Sequence, residues 1–231
     1  MAKRPVFVSE TGPPYVSAIL LEFEWHPGLS ITQKRRSVTA LHQSAGRHGI
    51  SPVLEVSTRS EVQLGVELSA FNLQVALSTR KSSVSVECAF QSSKIFRDGG
   101  PFEDLLDASS SEAKRDPRVQ ASGPLIGFRL GQDEWPLEPP TVFYDWLYLQ
   151  ALHNQPELVS AIQAYSGFTD IEFNPEKSIN CQARSVALYV ALQRIGIVDR
   201  VVASRSEFLA LLNGIRPPVA PPTAYSQGSL F

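Results

Sequence analysis

The chain has 231 residues, of which 43% are hydrophobic, and carries a formal net charge of −2. This is enough apolar sequence to bury one sizeable core, so we expect a single domain rather than two. The near-neutral charge excludes a general basic surface of the kind that coats nucleic-acid backbones, and any contact with nucleic acid should therefore be local.

Membrane insertion and export are not indicated by the sequence. No apolar run reaches the roughly 18 residues that a membrane-spanning helix needs, and residues 1–7 lack the apolar core of a signal peptide. Two cysteines are too few for a disulfide framework, which fits a reducing compartment. We therefore expect a cytoplasmic protein without a membrane partner.

Motifs for metals and common cofactors are missing. The four histidines are scattered, Cys88 and Cys181 lie inside helical patterns, and there is no Cys-x-x-Cys or His-Glu-x-x-His. Gly-x-Gly-x-x-Gly, Walker and Gly-x-Ser-x-Gly motifs are also missing, which argues against a dinucleotide dehydrogenase, an ATPase or a serine hydrolase. We expect neither a metal nor a cofactor.

The first 80 residues predict strands and one long helix. Residues 16–23 mix β-branched and aromatic residues with partial alternation, which indicates a strand, and residues 27–28 (Pro-Gly) break it. Residues 32–47 have apolar side chains at helical spacing and predict a helix. Short strands are predicted at 53–56 and 62–75.

Helical patterns dominate the rest of the chain. Apolar spacing, with proline or glycine at several boundaries, predicts helices at 102–108, 141–154, 156–165, 179–195 and 208–212. Residues 125–137 contain Gly127 and Gly131 and are interpreted as an ordered loop, and the proline-rich residues 214–231 predict a flexible tail. Because the predicted strands cluster early, we expect an α+β fold, mostly helical around a small antiparallel sheet.

One predicted helix carries a polar stripe between apolar neighbours. Glu87, Gln91 and Lys94 stand at i, i+4 and i+7, so a carboxylate, an amide and an amine should rise along one side. Ser85 can cap the start of this helix, and Glu87 then lies in the first turn, where the helix dipole favours the ionised carboxylate. An ordinary amphipathic helix with a solvated stripe is the alternative interpretation.

The ordered set of motifs around this stripe resembles the NADAR family. The family carries a Ser-Asn-Phe segment, a Glu-x-x-Phe-Gln-x-x-Lys helix and a downstream Asn-Trp, and this chain has Leu-Ser-Ala-Phe-Asn at 68–72, Glu-x-x-Phe-Gln-x-x-Lys at 87–94 and Asp145-Trp146. The segment at 25–34 further resembles the branch encoded beside guanine-modifying DarT-type DNA ADP-ribosyltransferase toxins. The resemblance implies a bacterial antitoxin with a NADAR-like domain at 1–213, of which 1–60 is branch-specific.

The same resemblance implies an activity and a substrate. It implies a glycohydrolase that removes ADP-ribose from guanine in DNA, with single strands as the expected substrate and ADP-ribose as the product. The toxin is implied as a functional partner, and direct contact with it stays open. DNA or RNA preference and the oligomeric state also stay open.

Cleaving this N-glycosidic bond needs a proton for the base and a nucleophile for the sugar carbon. Glu87 is our candidate general acid and base. Lys34 is the candidate nucleophile implied by the resemblance, and it would form a Schiff base with the opened sugar. Lys94 is the alternative nucleophile, and a solvated Lys-Arg-Arg cluster at 34–36 is the alternative interpretation of that segment.

A further set of residues is expected to bind the ligand, by their match to the family's motifs or by their place on the polar stripe. These are Ser69, Phe71, Asn72, Gln91, Lys94, Trp146, Asp170 and Asn180. For Trp146, filling of the core is an equal alternative. For Asp170 and Asn180, an ordinary turn followed by a helix cap is the alternative.

Two other functions fit the same residues. A module that binds ADP-ribose or the toxin would use the polar stripe without cleaving anything. An N-glycosidase for reactive intermediates of riboflavin synthesis is implied by other members of the family. Assays of the two substrates side by side would separate the enzymes.

Overall fold

Helices surround three small sheets in the structure, a computed structural model that describes residues 1–78 and 80–213. The strands are β1 (Ala2–Ser9), β2 (Val16–Phe23), β3 (Val53–Glu55), β4 (Gln74–Val75), β5 (Val84–Ser85), β6 (Lys94–Phe96), β7 (Leu125–Leu130), β8 (Asp133–Trp135) and β9 (Gly167–Thr169). The helices are α1 (Ile31–Arg47), α2 (Gln63–Glu67), α3 (Val86–Ser92), α4 (Ser110–Arg115), α5 (Pro117–Ala121), α6 (Val142–His153), α7 (Pro156–Ile162), α8 (Gln182–Arg194), α9 (Val198–Ala203) and α10 (Arg205–Asn213), with a 3₁₀ helix at Glu103–Asp107.

The largest sheet has the strand order β2-β1-β9-β3. β1 and β2 pair antiparallel along their whole length, from Ala2 opposite Phe23 to Ser9 opposite Val16. β9 pairs antiparallel with β1 and parallel with β3, so this sheet is mixed. The late strand β9 therefore brings the segment after residue 169 beside the first 60 residues.

Helix α1 packs on this sheet and presents Lys34 at its first turn. Ser30 caps the helix by accepting a hydrogen bond from the backbone nitrogen of Gln33 at 3.3 Å. Leu41 and Ala45 are fully buried in a cluster of apolar side chains that includes Phe23 of β2. Burial of this apolar face fixes the direction in which α1 leaves the sheet.

Helix α3 is buried along its whole length and positions Glu87. Ser85 caps it as predicted, accepting from the backbone nitrogen of Cys88 at 3.1 Å. The backbone nitrogen of Glu87 donates to the carbonyl of Ala70 at 2.9 Å, which joins the first turn of α3 to the turn at 69–72. Because all seven residues of α3 are buried, its polar side chains face other protein groups and not open solvent.

The central helices α6 and α8 are tied together by a buried ion pair. The carboxylate of Asp145 lies 2.5 Å from the guanidinium of Arg184 and also accepts from the hydroxyls of Thr141 and Ser185, each at 2.6 Å. Asp145 is only 1% exposed. The fully bonded carboxylate therefore holds α6 and α8 in register.

The α+β class expected from the sequence is confirmed, and so are several elements. The strand predicted at 16–23 is β2, the helix predicted at 32–47 is α1 with one further residue at its start, and the helices predicted at 141–154 and 179–195 are found as the shorter α6 and α8. The predicted tail at 214–231 lies outside the described residues. No helix in the described part of the chain combines the length and apolar character needed to cross a membrane.

Two predicted elements are wrong. Most of 62–75 is not a strand, because Gln63–Glu67 form α2, where a Cβ on Gly65 would come within 1.9 Å of the backbone oxygen of Glu55. This close approach between backbones is a tertiary contact that local sequence does not reveal. Residues 125–137 are not a loop but the β7–β8 hairpin, turned at Gly131 with a φ of 62°.

Lys94 also lies in a different element from the one predicted. Helix α3 ends at Ser92, and Lys94 begins β6. The hydroxyls of Ser92 and Ser93 donate to the carbonyl of Ala89 at 3.0 and 2.6 Å, which competes with further helical hydrogen bonds. The stripe of the sequence analysis is thus two residues on one helix followed by a lysine on a strand.

Candidate active site

Glu87 is a buried carboxylate with one side-chain partner. It is 6% exposed and its Oε1 accepts from Nε2 of Gln91 at 2.8 Å, as the helical spacing predicts. The Oε1 of Gln91 is buried and has no hydrogen-bond partner among the described residues. Buried polar atoms are nearly always paired, so this amide oxygen marks a position suited to a ligand or water donor.

The turn at 69–72 is held against α3 and α8. Ser69 is buried, and the backbone nitrogen of Ala70 donates to Oε1 of Gln182 at 2.8 Å. Phe71 is partly exposed, whereas Asn72 is exposed and uses its side-chain nitrogen to bond the carbonyl of Val66 at 2.8 Å. This turn therefore borders Glu87 through the carbonyl of Ala70, and the side chain of Asn72 bonds within the turn itself.

Two lysines lie over the rings beside this turn. Nζ of Lys94 lies 4.7 Å from the ring centre of Phe90, and Nζ of Lys114 lies 5.2 Å from that of Phe71. Burial lowers the pKa of Lys94 to about 8; the charge of Glu87 opposes this shift and the charge of Lys114 adds to it. Glu87, Lys94 and Lys114 therefore act on one another electrostatically.

Tyr144 is a buried phenol whose pKa is affected by the charges of both Glu87 and Asp170. The phenol is buried, and burial raises its pKa well above the usual value, with further contributions from the negative charges of Glu87 and Asp170. Its ring packs edge-on against Phe90 with centroids 5.1 Å apart. Glu87 and Asp170 thus act on the same phenol group.

Asp170 belongs to a group of buried acids at the end of β9. Burial raises its pKa to about 8, and the negative charge of Glu55 adds to the shift, so Asp170 is mostly neutral at pH 7. Its Oδ1 accepts from the backbone nitrogen of Glu172 at 3.0 Å. A neutral carboxylic acid can donate a hydrogen bond or a proton, which an ionised one cannot.

Glu55 supports Asp170 from the neighbouring strand. Its two oxygens accept from the hydroxyls of Ser57 at 2.6 Å and Thr169 at 2.7 Å and from the backbone nitrogen of Ile171 at 2.8 Å. Nε2 of His42 lies 2.8 Å from the Thr169 hydroxyl, and burial lowers the pKa of His42 to about 4. Because Thr169 donates to Glu55, a neutral His42 protonated on Nε2 completes this network.

Lys34 pairs with Glu172, two residues after Asp170. Its side chain is 13% exposed, and its Nζ lies 3.5 Å from Oε2 of Glu172, whose Oε1 lies 3.0 Å from Nε of Arg59. The same Nζ lies 5.3 Å from the ring centre of Trp25, and the guanidinium of Arg4 lies 5.6 Å from that ring centre. Lys34 therefore belongs to a partly buried cluster, while Arg36 in the same charge run is exposed.

The predicted catalytic residues lie in two hydrogen-bonded groups. Lys34 pairs with Glu172, whose backbone nitrogen donates to Asp170, and Glu87 accepts from Gln91; the charges of Asp170 and Glu87 both contribute to the raised pKa of Tyr144. We refer to Lys34, Glu87, Tyr144, Asp170 and Glu172 as the candidate site. An amine, a neutral acid and a second carboxylate are the groups that acid- and base-assisted attack on a sugar carbon requires.

Several buried side-chain atoms have no hydrogen-bond partner among the described residues, and one of them, Oε1 of Gln91, lies beside Glu87. Among the described residues, buried side-chain atoms without a hydrogen-bond partner are Nε of Arg4, Oε1 of Gln33, Oε1 of Gln91, Oδ1 of Asn180 and Nε of Arg205. Gln33 precedes Lys34 in the chain, and Gln91 donates to Glu87 through its Nε2. The charge of Asp170 opposes the lowering of the Arg4 pKa by burial. Polar atoms left unpaired in this way are typical of a binding site.

Trp146 lies away from the candidate site. Its ring packs between Trp135, at a centroid distance of 5.3 Å, and Phe208, at 5.4 Å. It stands two residues after Tyr144 on α6, which is roughly 200° around the helix axis. The structure therefore places Trp146 in apolar packing and Tyr144 towards Glu87.

Sequence reasoning missed several groups of the site. The motifs in the sequence do not predict a role for Tyr144, Lys114, Glu55 or Arg4. For Glu55 a signal was available, because a single carboxylate stands between the apolar residues of the strand at 53–56. Tyr144 gave no comparable signal, since a tyrosine in an apolar helix usually fills core space.

Comparison with known proteins decides the family. A family model described as the DarT1-associated NADAR antitoxin matches residues 2–217. The chain belongs to this family. Its name links these NADAR antitoxins to the DarT1 toxin, which agrees with the resemblance found in the sequence. Among curated proteins no match was found.

Proposed function

We propose that this NADAR antitoxin is a glycohydrolase that releases ADP-ribose from guanine in DNA and so reverses the modification made by a DarT1-type toxin. The observation that supports the proposal is the buried Glu87–Gln91 pair, in which the Oε1 of Gln91 has no partner among the described residues; the Lys34–Glu172 pair next to Asp170 supplies the amine. The family match supports the antitoxin role. The catalytic activity and the roles below are our inference.

The proposed reaction begins with opening of the modified ribose. The bond between the anomeric carbon and the ring oxygen breaks, the oxygen takes the proton of Glu87, and the carbon becomes doubly bonded to the guanine nitrogen. Lys34, after passing its ammonium proton to Glu172, adds to this carbon as an amine, and the ammonium that forms returns a proton to Glu87. Guanine then leaves with that proton, and a protonated Schiff base to Lys34 remains.

Hydrolysis completes the cycle. Glu87, now ionised, takes a proton from water, which adds to the Schiff-base carbon. The bond from carbon to Lys34 breaks as the amine leaves, and the released aldehyde closes again to ADP-ribose. Atoms and protons balance, because the single water supplies the oxygen and the proton that the products gain.

The other predicted binding residues keep their proposed roles around this chemistry. The neutral Asp170 would donate to a ribose hydroxyl, and the unpaired Oε1 of Gln91 would accept from one. Ser69 and Phe71 would line the sugar side. Asn72, Trp146 and Asn180 remain predictions of ligand binding without a contact to Glu87 to support them.

Turnover of a defined substrate tests the proposal. A single-stranded oligonucleotide bearing one ADP-ribosylated guanine is incubated with purified protein and analysed by mass spectrometry. We expect wild type to restore the unmodified oligonucleotide, and Glu87→Gln and Lys34→Arg to lose at least about 100-fold in rate. Lys3→Arg, at an exposed lysine, is the matched control. Full activity in both site variants would refute the assignment.

Borohydride trapping identifies the nucleophile. Reduction during turnover should fix a stable adduct whose mass is located by peptide mapping. We expect the adduct on Lys34. An adduct on Lys94 would transfer the role to that lysine, whose lowered pKa of about 8 also supplies a neutral amine. Binding of ADP-ribose without turnover would instead favour a binding module.

A further inference from the structure

Lys114 occupies a defined position beside the candidate site that the mechanism does not use. The hydroxyl of Ser110, at the start of α4, donates to the carbonyl of Phe71 and lies 2.8 Å from both that oxygen and the hydroxyl of Ser85. These bonds fix α4 against the cap of α3 and the 69–72 turn. Lys114 stands one helical turn after Ser110 and so projects on the same side, over the ring of Phe71.

Lys94 faces the same region from β6. Its Nζ lies over the ring of Phe90, the residue before Gln91 of the stripe. Phe90 and Phe71 both border the first turns of α3, because Phe90 lies on this helix and the turn that holds Phe71 accepts from the backbone nitrogen of Glu87 through Ala70. The positive charge of Lys114 also lowers the pKa of Lys94, which agrees with this placement. Both lysines are partly buried.

Neither lysine has a carboxylate within ion-pair distance in the described part of the chain. The ion pairs of residues 1–78 and 80–213 use other lysines and arginines. The rings beneath Lys94 and Lys114 attract cations but carry no net charge, so they do not cancel the repulsion. Glu87 acts on Lys94 only from beyond ion-pair distance, so an anion that reaches both ammonium groups would stabilise them further.

We propose that Lys94 and Lys114 form a clamp for the diphosphate of the ADP-ribosyl group. The inference rests on the proposed function and gives these lysines a binding role, separate from the nucleophile. A diphosphate carries negative charge on two adjacent phosphoryl groups, which two ammonium groups can contact at once. Lys114 also acts on Asp170, so the clamp adjoins the acid that we assign to the ribose.

Calorimetric binding of ADP-ribose tests the clamp without requiring turnover. We expect Lys114→Gln and Lys94→Gln each to weaken binding by about 10- to 100-fold, the effect of losing one charge-assisted contact. Lys114→Arg should keep affinity within about threefold of wild type, because the charge remains. Lys81→Gln, at an exposed lysine, is the control.

Inorganic pyrophosphate gives a second readout. It should compete with ADP-ribose on wild type and compete far less on Lys114→Gln. The clamp is overturned if Lys114→Gln binds ADP-ribose like wild type, or if Lys114→Arg loses as much affinity as Lys114→Gln. If Lys114→Gln binds ADP-ribose weakly but wild type shows no turnover, the proposed function is refuted and the clamp stands. If Lys114→Gln binds normally and wild type shows full turnover, the clamp is refuted and the proposed function stands.

Discussion

Lys34 and Glu172 form an ion pair at 3.5 Å although 138 residues separate them in the chain. Arg59 holds the other oxygen of Glu172 at 3.0 Å, so this carboxylate has a fixed place between two cations. The proposed nucleophile is therefore oriented by a residue next to the acid group of β9. Orientation of this kind contributes strongly to reactions between bound groups.

Removing the Glu172 carboxylate should slow formation of the lysine adduct. We expect Glu172→Ala to reduce borohydride-trapped adduct and turnover by about tenfold, because Lys34 loses its positioning partner. Adduct yield is measured by mass spectrometry at a fixed time. Glu24→Ala, a largely exposed carboxylate with side-chain exposure of 74%, is the control. Unchanged adduct yield in Glu172→Ala would contradict a positioning role.

The raised pKa of Asp170 predicts how stability depends on pH. In the native state its pKa is about 8, against an ordinary value of 3.8, so the folded protein holds a proton that the unfolded chain releases. Stability from this group is fully present below pH 3.8 and is lost as pH rises to about 8, by at most about 1.4 kcal/mol per pH unit.

Asp170→Asn removes this term. The free energy of unfolding of the variant, relative to wild type, should increase between pH 5 and pH 8, as measured by urea denaturation at each pH. Asp133→Asn, at an exposed aspartate, should show no such trend. A relative stability of Asp170→Asn that stays constant over the same range would show that Asp170 is ionised in the native protein.

The lowered pKa of Lys94 predicts a pH dependence of ligand binding. Anion binding needs charged Lys94, so the affinity for ADP-ribose should fall as pH rises through about 8, by about tenfold between pH 7.5 and 9.5. The charged groups that act on Lys94 are Glu87 and Lys114. In Lys94→Arg the guanidinium stays charged, and the transition should disappear. An unchanged transition in that variant would assign it to another group.

The Asp145–Arg184 pair should matter for stability rather than chemistry. Asp145→Ala leaves Arg184 without its buried partner and should lower the free energy of unfolding by about 3–5 kcal/mol. Residual folded protein, measured below its lowered melting temperature, should keep ADP-ribose affinity near wild type. A large loss of affinity with normal stability would instead place Asp145 in the binding site.

Local patterns predicted the elements that local forces decide. The cap at Ser85 and the Glu87–Gln91 spacing follow from hydrogen bonds within one or two turns, and the structure has both. Sequence reasoning missed the hairpin at 125–135 because glycines such as Gly127 and Gly131 are typical of loops. In the structure Gly131 makes the turn, and Gly127 lets the strand approach Trp135. Lys114 and Tyr144 join the site only through packing between helices, which no local pattern encodes.

The parallel pairing of β3 with β9 ties the end of the first quarter of the chain to a segment near residue 168. During synthesis, Lys34 and Glu87 emerge long before Asp170 and Glu172. The contacts that orient the amine therefore close last, after a long loop has been ordered. A nascent chain therefore gains the proposed catalytic set only when translation has passed β9.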